Sequence, residues 1–380
     1  MQNINDLSFD IEDMLAGLQR WVECESPTFD VKAVNCMMTL AADELRELGA
    51  AVEMIAGPPG LGDCLKASFP HERQGEGGIL IMAHLDTVHP VGTLEKLPFR
   101  REGTRCYGPG ILDMKGGTFA ALQAVAALKQ AGITTSLPVS VLLTCDEEIG
   151  SPGTRELILA EARRHKYVLV PEPTCAGDGR GVVTGRYAIA RFKLTAQGRP
   201  SHAGAALKQG RSAIREMAQQ IVEIENMSDD DCTFSVGVVH GGQWVNCVST
   251  VCHAEALSMA KRQSDLERGI ERMRALSYRD EDGTGFEAEL SVVRPVWEPS
   301  EATMALYATA RAIADSIDCE LGHGSAGGGS DGNFTGAAGI ATLDGLGLSG
   351  GGIHTLGEYI EVESLIERAR LMAGLLATLE

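Results

Sequence analysis

Short apolar runs alternate with longer amphipathic stretches over the first half of the chain. Residues 9–22 and 32–49 repeat apolar positions at helical spacing, with Asp30 as a cap for the second helix and Gly49 closing it. Ile79–Ala83, Val139–Thr144 and Val168–Val170 are short, largely apolar and β-branched or Leu-rich, which predicts buried strands. Between them, the Ala-rich Thr118–Leu128 reads as a helix ended by Gly132. Helices alternating with buried strands predict an α/β layer on a mixed, mostly parallel sheet.

The pattern changes after Val183. Arg186–Ala196 alternates polar and apolar residues, as a half-exposed strand does, and Arg211–Glu225 is amphipathic. Phe234–Val239 and Cys247–Leu257 read as strands, Leu266–Leu276 as a helix and Phe286–Val293 as a strand. That order, strand-helix-strand-strand-helix-strand, predicts a compact α+β unit of the ferredoxin-like kind. The helix Glu301–Ile317, the strand Gly339–Leu343 and the helix Val362–Leu376 then resume the first pattern. The reading is a discontinuous catalytic domain, 1–183 and 297–380, with a small domain inserted at 184–296.

With 380 residues the chain exceeds the size at which one core keeps growing, in keeping with two domains. Its net charge of −19 argues against nucleic acid and anionic membrane as partners, because both favour a basic surface. No apolar run approaches the roughly 18 residues of a membrane span. The first residues lack a basic flank and an apolar core, and the ten cysteines form no C-x-x-C pair. A reduced, cytoplasmic protein is therefore expected. Cys145 and Cys175 fall near the candidate chemistry but read as small packing residues.

That chemistry stands at the ends of the apolar runs. His84, Glu148 and Glu172 each follow a predicted strand, Asp113 lies in a glycine-bounded turn, and His354 follows Gly350-Gly351-Gly352. Two imidazoles and three carboxylates suit zinc, with manganese or cobalt as alternatives. For two metal ions to have three protein ligands each, one residue must bridge, which leaves open positions for water and substrate. Asp113 alone would pass for a helix cap, and Glu147-Glu148 for a solvated acidic loop. Adjacent carboxylates at a strand end are costly without cations, however. Glu148 is assigned to metal and Glu147 to the general base. Asp86, two residues past His84, can accept the other imidazole N–H. In the inserted domain His202 can polarise a carbonyl, and Asn246 and Arg294 can bind a substrate carboxylate.

Several segments together carry a resemblance. They are Ala83-His84-Leu85-Asp86-Thr87-Val88, Gly108-Pro109-Gly110-Ile111-Leu112-Asp113-Met114-Lys115-Gly116-Gly117 and Asp146-Glu147-Glu148-Ile149-Gly150-Ser151. Glu172-Pro173-Thr174, Ser201-His202-Ala203-Gly204, Gly328-Gly329-Ser330-Asp331 and His354-Thr355 complete the set. Over nearly its whole length the chain resembles the zinc aminoacylase, carboxypeptidase G and succinyl-diaminopimelate desuccinylase family of metallopeptidases. The resemblance implies one metal held by His84, Asp113 and Glu172, and a second by Asp113, Glu148 and His354. It implies Glu147 as base, Asp86 as the residue orienting His84, and a homodimer formed by the inserted domain. His202 and Asn246 would then serve a neighbouring subunit's cleft. The likeness is strongest to glutamate carboxypeptidases, in which Arg294-Pro295 would meet the carboxylate of a small acyl-amino acid or peptide-like substrate whose amide is cleaved.

One stretch departs from that family. Asn-x-x-Pro is expected from Asn246, but Ser249 replaces the proline. A carboxylate-binding arginine is expected where Met259 stands, unless a register shift brings in Lys261 or Arg262. The departure motivates a second reading, a related hydrolase of a non-peptide substrate such as an aryl amine or an amidine.

Overall fold

Residues 4–174 and 181–380 are described by the computed structural model, so Cys175 lies outside the described residues. By its contacts the chain divides into two compact units. One comprises Met1–Gly185, Trp297–Ala326 and Ser330–Glu380, and the other Arg186–Val296 and Gly327–Gly329.

In the first unit a six-stranded sheet runs in the order Ala51–Ile55, Cys64–Ser68, Val139–Thr144, Gly78–His84, His165–Leu169, Ala341–Leu343. The first two pairings are antiparallel and the remaining three parallel, the mixed, mostly parallel sheet expected from the sequence. Gly78–His84 and Val139–Thr144 are buried at every position, which is why they lack alternation. Ile79, Ile81 and Ala83 face a large core shared with the helices Ile11–Glu23, Val31–Glu47, Gly116–Gln130 and Val362–Thr378. Leu80 and Met82 face a smaller core with Ile158, Ala162 and Phe334 on the opposite side. Asp30 caps Val31–Glu47 through the Lys32 and Ala33 amides, both at 3.1 Å, and Gly49 adopts φ 88° just beyond it. Cys145 is buried in the large core, its Sγ 3.6 Å from that of Cys64. The four parallel strands end along one edge of the sheet, where ligand sites of open α/β sheets gather.

The second unit is a five-stranded antiparallel sheet ordered Cys232–Gly241, Val251–Ala260, Ala188–Gln197, Gly285–Arg294, Tyr278–Arg279. One face packs on the helices Ala213–Glu225 and Gln263–Ala275, through Ala190, Phe192 and Leu194 among others. Sequence reading starts the third strand at Cys247, but it begins at Val251. His202 bridges Cys247, and the Val248 amide bonds the Ser201 carbonyl, so that stretch serves a loop contact. Gly327–Gly329, far from this unit in sequence, joins it for steric and polar reasons. The Gly328 carbonyl accepts from Arg186 Nη1 at 2.7 Å, and a Cβ at Gly329 would lie 2.6 Å from Ile189 Cδ1.

Candidate active site

His84 is the last residue of its strand, and strand pairing sets it beside Thr144, the residue that ends the neighbouring strand. The Asp146–Ile149 turn follows directly, so His84, Glu147 and Glu148 meet at one sheet edge. Glu172 lies three residues past the strand His165–Leu169. Pro171, just before it, packs tightly on Gly117, where a Cβ would lie 2.0 Å from the Pro171 carbonyl oxygen. His354 holds φ 62°, a left-handed conformation that costs a non-glycine residue about 1–3 kcal/mol and that clusters at functional sites.

Asp113 stands between the two histidines. Its Oδ1 is 3.3 Å from His84 Nε2 and its Oδ2 is 3.3 Å from His354 Nε2. Glu172 Oε1 lies 3.6 Å from His84 Nε2, and Glu148 Oε2 lies 3.2 Å from His354 Nε2. Two trios result, His84–Asp113–Glu172 and Asp113–Glu148–His354, each with ligand atoms within 4.8 Å of one another. Tetrahedral coordination at bond lengths of about 2.0–2.1 Å sets ligand atoms about 3.3 Å apart. Glu147 belongs to neither trio, and its Oε2 is 3.8 Å from His84 Nε2.

The donor set fits a metal on a second ground. His84 Nδ1 lies 2.9 Å from the Asp86 carbonyl oxygen, which can only accept, so that nitrogen carries the proton. The Nε2 lone pair then points among carboxylate oxygens, buried and without a hydrogen bond. A cation resolves this. With no metal, protons take that role. Burial lowers the His84 pKa, but Asp113, Asp86, Glu147 and Glu172 outweigh it and hold the imidazole well above its ordinary value. The Asp113 and Glu148 carboxylates push His354 up to about 10. Burial raises Asp113, but its bonds to His354 and His84 prevail and keep it ionised. Glu172 is pushed well above the usual carboxylate range by burial and then by Asp113. Burial likewise raises Glu148.

Asp86 lies beside His84 Nδ1, and it does more than that. The acceptor nearest His84 Nδ1 is its main-chain carbonyl, with the carboxylate Oδ1 at 3.4 Å. The carboxylate also accepts from the Glu147 and Glu148 amides, at 3.2 and 3.3 Å, and from the Thr28 hydroxyl at 2.8 Å. It therefore positions the turn that carries the expected base as well as lying beside His84.

Glu358 is a residue that sequence reading missed. It is buried, and its carboxylate accepts from the Gly110, Leu112 and Asp113 amides at 2.9, 2.8 and 3.1 Å and bonds His89 Nε2 at 2.9 Å. The only hint in the sequence is an acid four residues past His354. Glu358→Ala would leave those amides without their acceptor and loosen Asp113. Metal affinity is expected to fall about 10- to 100-fold, measured by competition with a chromophoric chelator.

In the second unit His202 and Asn246 come together: the Ala203 amide donates to the Asn246 carbonyl at 2.9 Å, and both residues are exposed. His202 Nδ1 accepts from the Gly204 and Ala205 amides, at 3.2 and 3.1 Å, which leaves Nε2–H free to donate outward. Arg294 is buried and pairs with Ile189, which in turn pairs with Met259. Pairing of Val251–Ala260 with Ala188–Gln197 is continuous, so no register shift substitutes for Met259. Lys261 instead lies 3.5 Å from Asp231.

Residues 80–378 match the model of peptidase family M20/M25/M40. Carboxypeptidase G2 of Pseudomonas sp. (strain RS-16) is 32% identical over 378 residues, covering 96% of this chain and 89% of that protein. The succinyl-diaminopimelate desuccinylase of Nitrosospira multiformis is 26% identical over 385 residues, covering 95% and 97%. A tripeptidase from Staphylococcus aureus shares the fold, with a TM-score of 0.75 at 20% identity over 97% of this chain and 98% of its own. With two carboxylate–imidazole trios at the carboxyl edge of its sheet, and this match over most of its length, the chain belongs to peptidase family M20/M25/M40 and is a metal-dependent hydrolase.

Proposed function

We propose that the protein is a carboxypeptidase-like amidohydrolase that cleaves the amide bond between a small acyl group and an amino acid. The observation that carries this reading is the pair of trios sharing Asp113, with Glu147 beside them and in neither. His84, Asp113 and Glu172 would hold one divalent ion, and Asp113, Glu148 and His354 the other. Zinc is the first choice for this donor set, with manganese or cobalt as alternatives. When bound, such ions supply Lewis-acid polarisation of the scissile carbonyl and a water that ionises near neutral pH.

The residues of the chain do the rest. Glu147 takes a proton from the attacking water and returns it to the leaving nitrogen. Asp86 holds Glu147 in place through its amide. His202 donates Nε2–H to the developing oxyanion, and Arg294 and Asn246 bind the substrate carboxylate. Met259, held in register where an arginine was expected, favours a second reading in which the amine side is not an acidic amino acid but an aryl amine or amidine.

A homodimer through the second unit is part of this proposal, with His202 and Asn246 reaching the partner's site. Cys232–Gly241 is an edge strand with Val238 and Val239 exposed, and Val222 is exposed on the neighbouring helix. Such an edge can pair with a second copy. Val239→Lys is expected to give a monomer by light scattering and a loss of turnover with metal binding intact. A monomeric wild-type protein with full activity would contradict the dimer. We place the protein in the cytoplasm on its free cysteines. No helix among the described residues is long and apolar enough to cross a membrane.

The test is a screen of N-acyl amino acids, dipeptides, aryl amides and amidines with protein loaded with zinc, manganese or cobalt. Turnover of N-acyl amino acids supports the first reading. Turnover confined to aryl amides or amidines supports the second, and none with any metal contradicts both.

A further inference from the structure

Two histidines that the trios do not use stand opposite each other on the sheet of the second unit. His240, on the edge strand Cys232–Gly241, pairs with His253 on Val251–Ala260. Directly opposite residues of an antiparallel pair send their side chains to one face, with Cβ atoms about 4.5–5.5 Å apart. That face is the solvated one. His240, His253, Lys193 and Glu255 are exposed, while Cys252 and Ala254 belong to the core against the helices. His253 Nδ1 lies 3.2 Å from the Thr195 hydroxyl, so Nε2 is the nitrogen left open to a ligand.

Both imidazoles line an open cavity of about 350 Å³, together with Lys193, Thr195, Glu255 and Glu289. Lys193 pairs with Glu255 on one side and Glu289 on the other. Two carboxylates against one ammonium leave the cavity acidic, and the chain as a whole carries −19, so a cation is drawn to it. Side chains this close can bring one nitrogen each to a common ion at about 2.0–2.1 Å. Imidazole selects copper, nickel or zinc over magnesium or calcium. Among the described residues no third ligand joins the pair, so water completes the coordination and the ion is held less tightly than by a trio.

We propose that His240 and His253 form a metal site of their own, a two-imidazole clip for a late first-row divalent ion that ties the edge strand to its neighbour. The tie falls where the strand is weakest. Its register shifts between Val236 and Val238, and Val238, Val239, His240 and Gly241 beyond the shift are all exposed. An edge segment with so little packing opens before the rest of a sheet. Both ligands come from one chain, so the clip requires neither substrate nor a second copy.

The test titrates Ni²⁺ by calorimetry into zinc-loaded protein after desalting, which strips the weaker site and leaves zinc in the trios. Nickel favours imidazole and, unlike copper, does not oxidise the exposed Cys36 and Cys247 thiols. About one Ni²⁺ per chain is expected in addition to the zinc. His240→Asn and His253→Asn should each weaken its binding at least about tenfold, with unchanged zinc content showing that the variants are folded. Replacing both should do little more at concentrations that saturate the wild type, because one imidazole alone makes no chelate. His323→Asn, which removes an exposed histidine of the first unit, should stay within about twofold of the wild type. Hydrogen exchange at Val238–Gly241 should slow at least about threefold when Ni²⁺ is added to the wild type, and in neither single variant. Nickel binding that survives either substitution, or wild-type exchange that nickel leaves unchanged, would overturn the inference.

Discussion

Replacing Glu147 by Gln is expected to lower kcat by about 10²- to 10⁴-fold, with metal content unchanged. The side chain keeps its shape and its amide still donates to Asp86, so the turn stays in place. What is lost is a carboxylate 3.8 Å from His84 Nε2 that stands outside both trios. Glutamine cannot accept the proton of the attacking water. KM should move little, because Glu147 acts on the water and not on the substrate's carboxylate. A variant with full turnover would remove the base from the account. One that lost metal as well as activity would make Glu147 a ligand.

Asp113→Asn is expected to have the larger effect on the site as a whole. Asp113 faces both histidines at 3.3 Å, so one substitution weakens both trios. Removing a direct ligand should cost more than the roughly 10- to 100-fold in affinity typical of an outer partner. Turnover should drop below detection at metal concentrations that saturate the wild type. A second readout is thermal: metal that binds only the folded state stabilises by about 2.7 kcal/mol per site at a hundredfold excess over Kd. Wild-type protein should gain several degrees in Tm on adding zinc, and the variant little or none. An equal gain in both would show that Asp113 does not join the two trios.

The α/β class was legible because buried parallel strands such as Ile79–Ala83 have no polar position, while Ala188–Gln197 alternates on a half-solvated sheet. Ala51–Ile55 escaped notice because it is an edge strand, mostly exposed, and its pattern of burial has no clean period. The candidate ligands stood out because acids and histidines end apolar runs, and the fold then draws together residues as distant as His84 and His354 around Asp113. Two features could not be read that way. Glu358 reaches back across the sequence to the Asp113 turn, and that pairing exists only once the fold brings the two loops together. Asp86 has a main-chain carbonyl and a carboxylate within reach of His84, and only the turn geometry decides that the carbonyl takes the imidazole proton.

The central claim is that the two trios bind divalent metal and that activity depends on it. Metal analysis by plasma mass spectrometry on zinc-loaded, desalted protein, read beside turnover before and after chelation, tests it most directly. The account predicts about two ions per chain, parallel loss of metal and activity with chelator, and recovery of both on adding zinc. Protein that retains no metal after desalting, and whose turnover is indifferent to chelator, would contradict it.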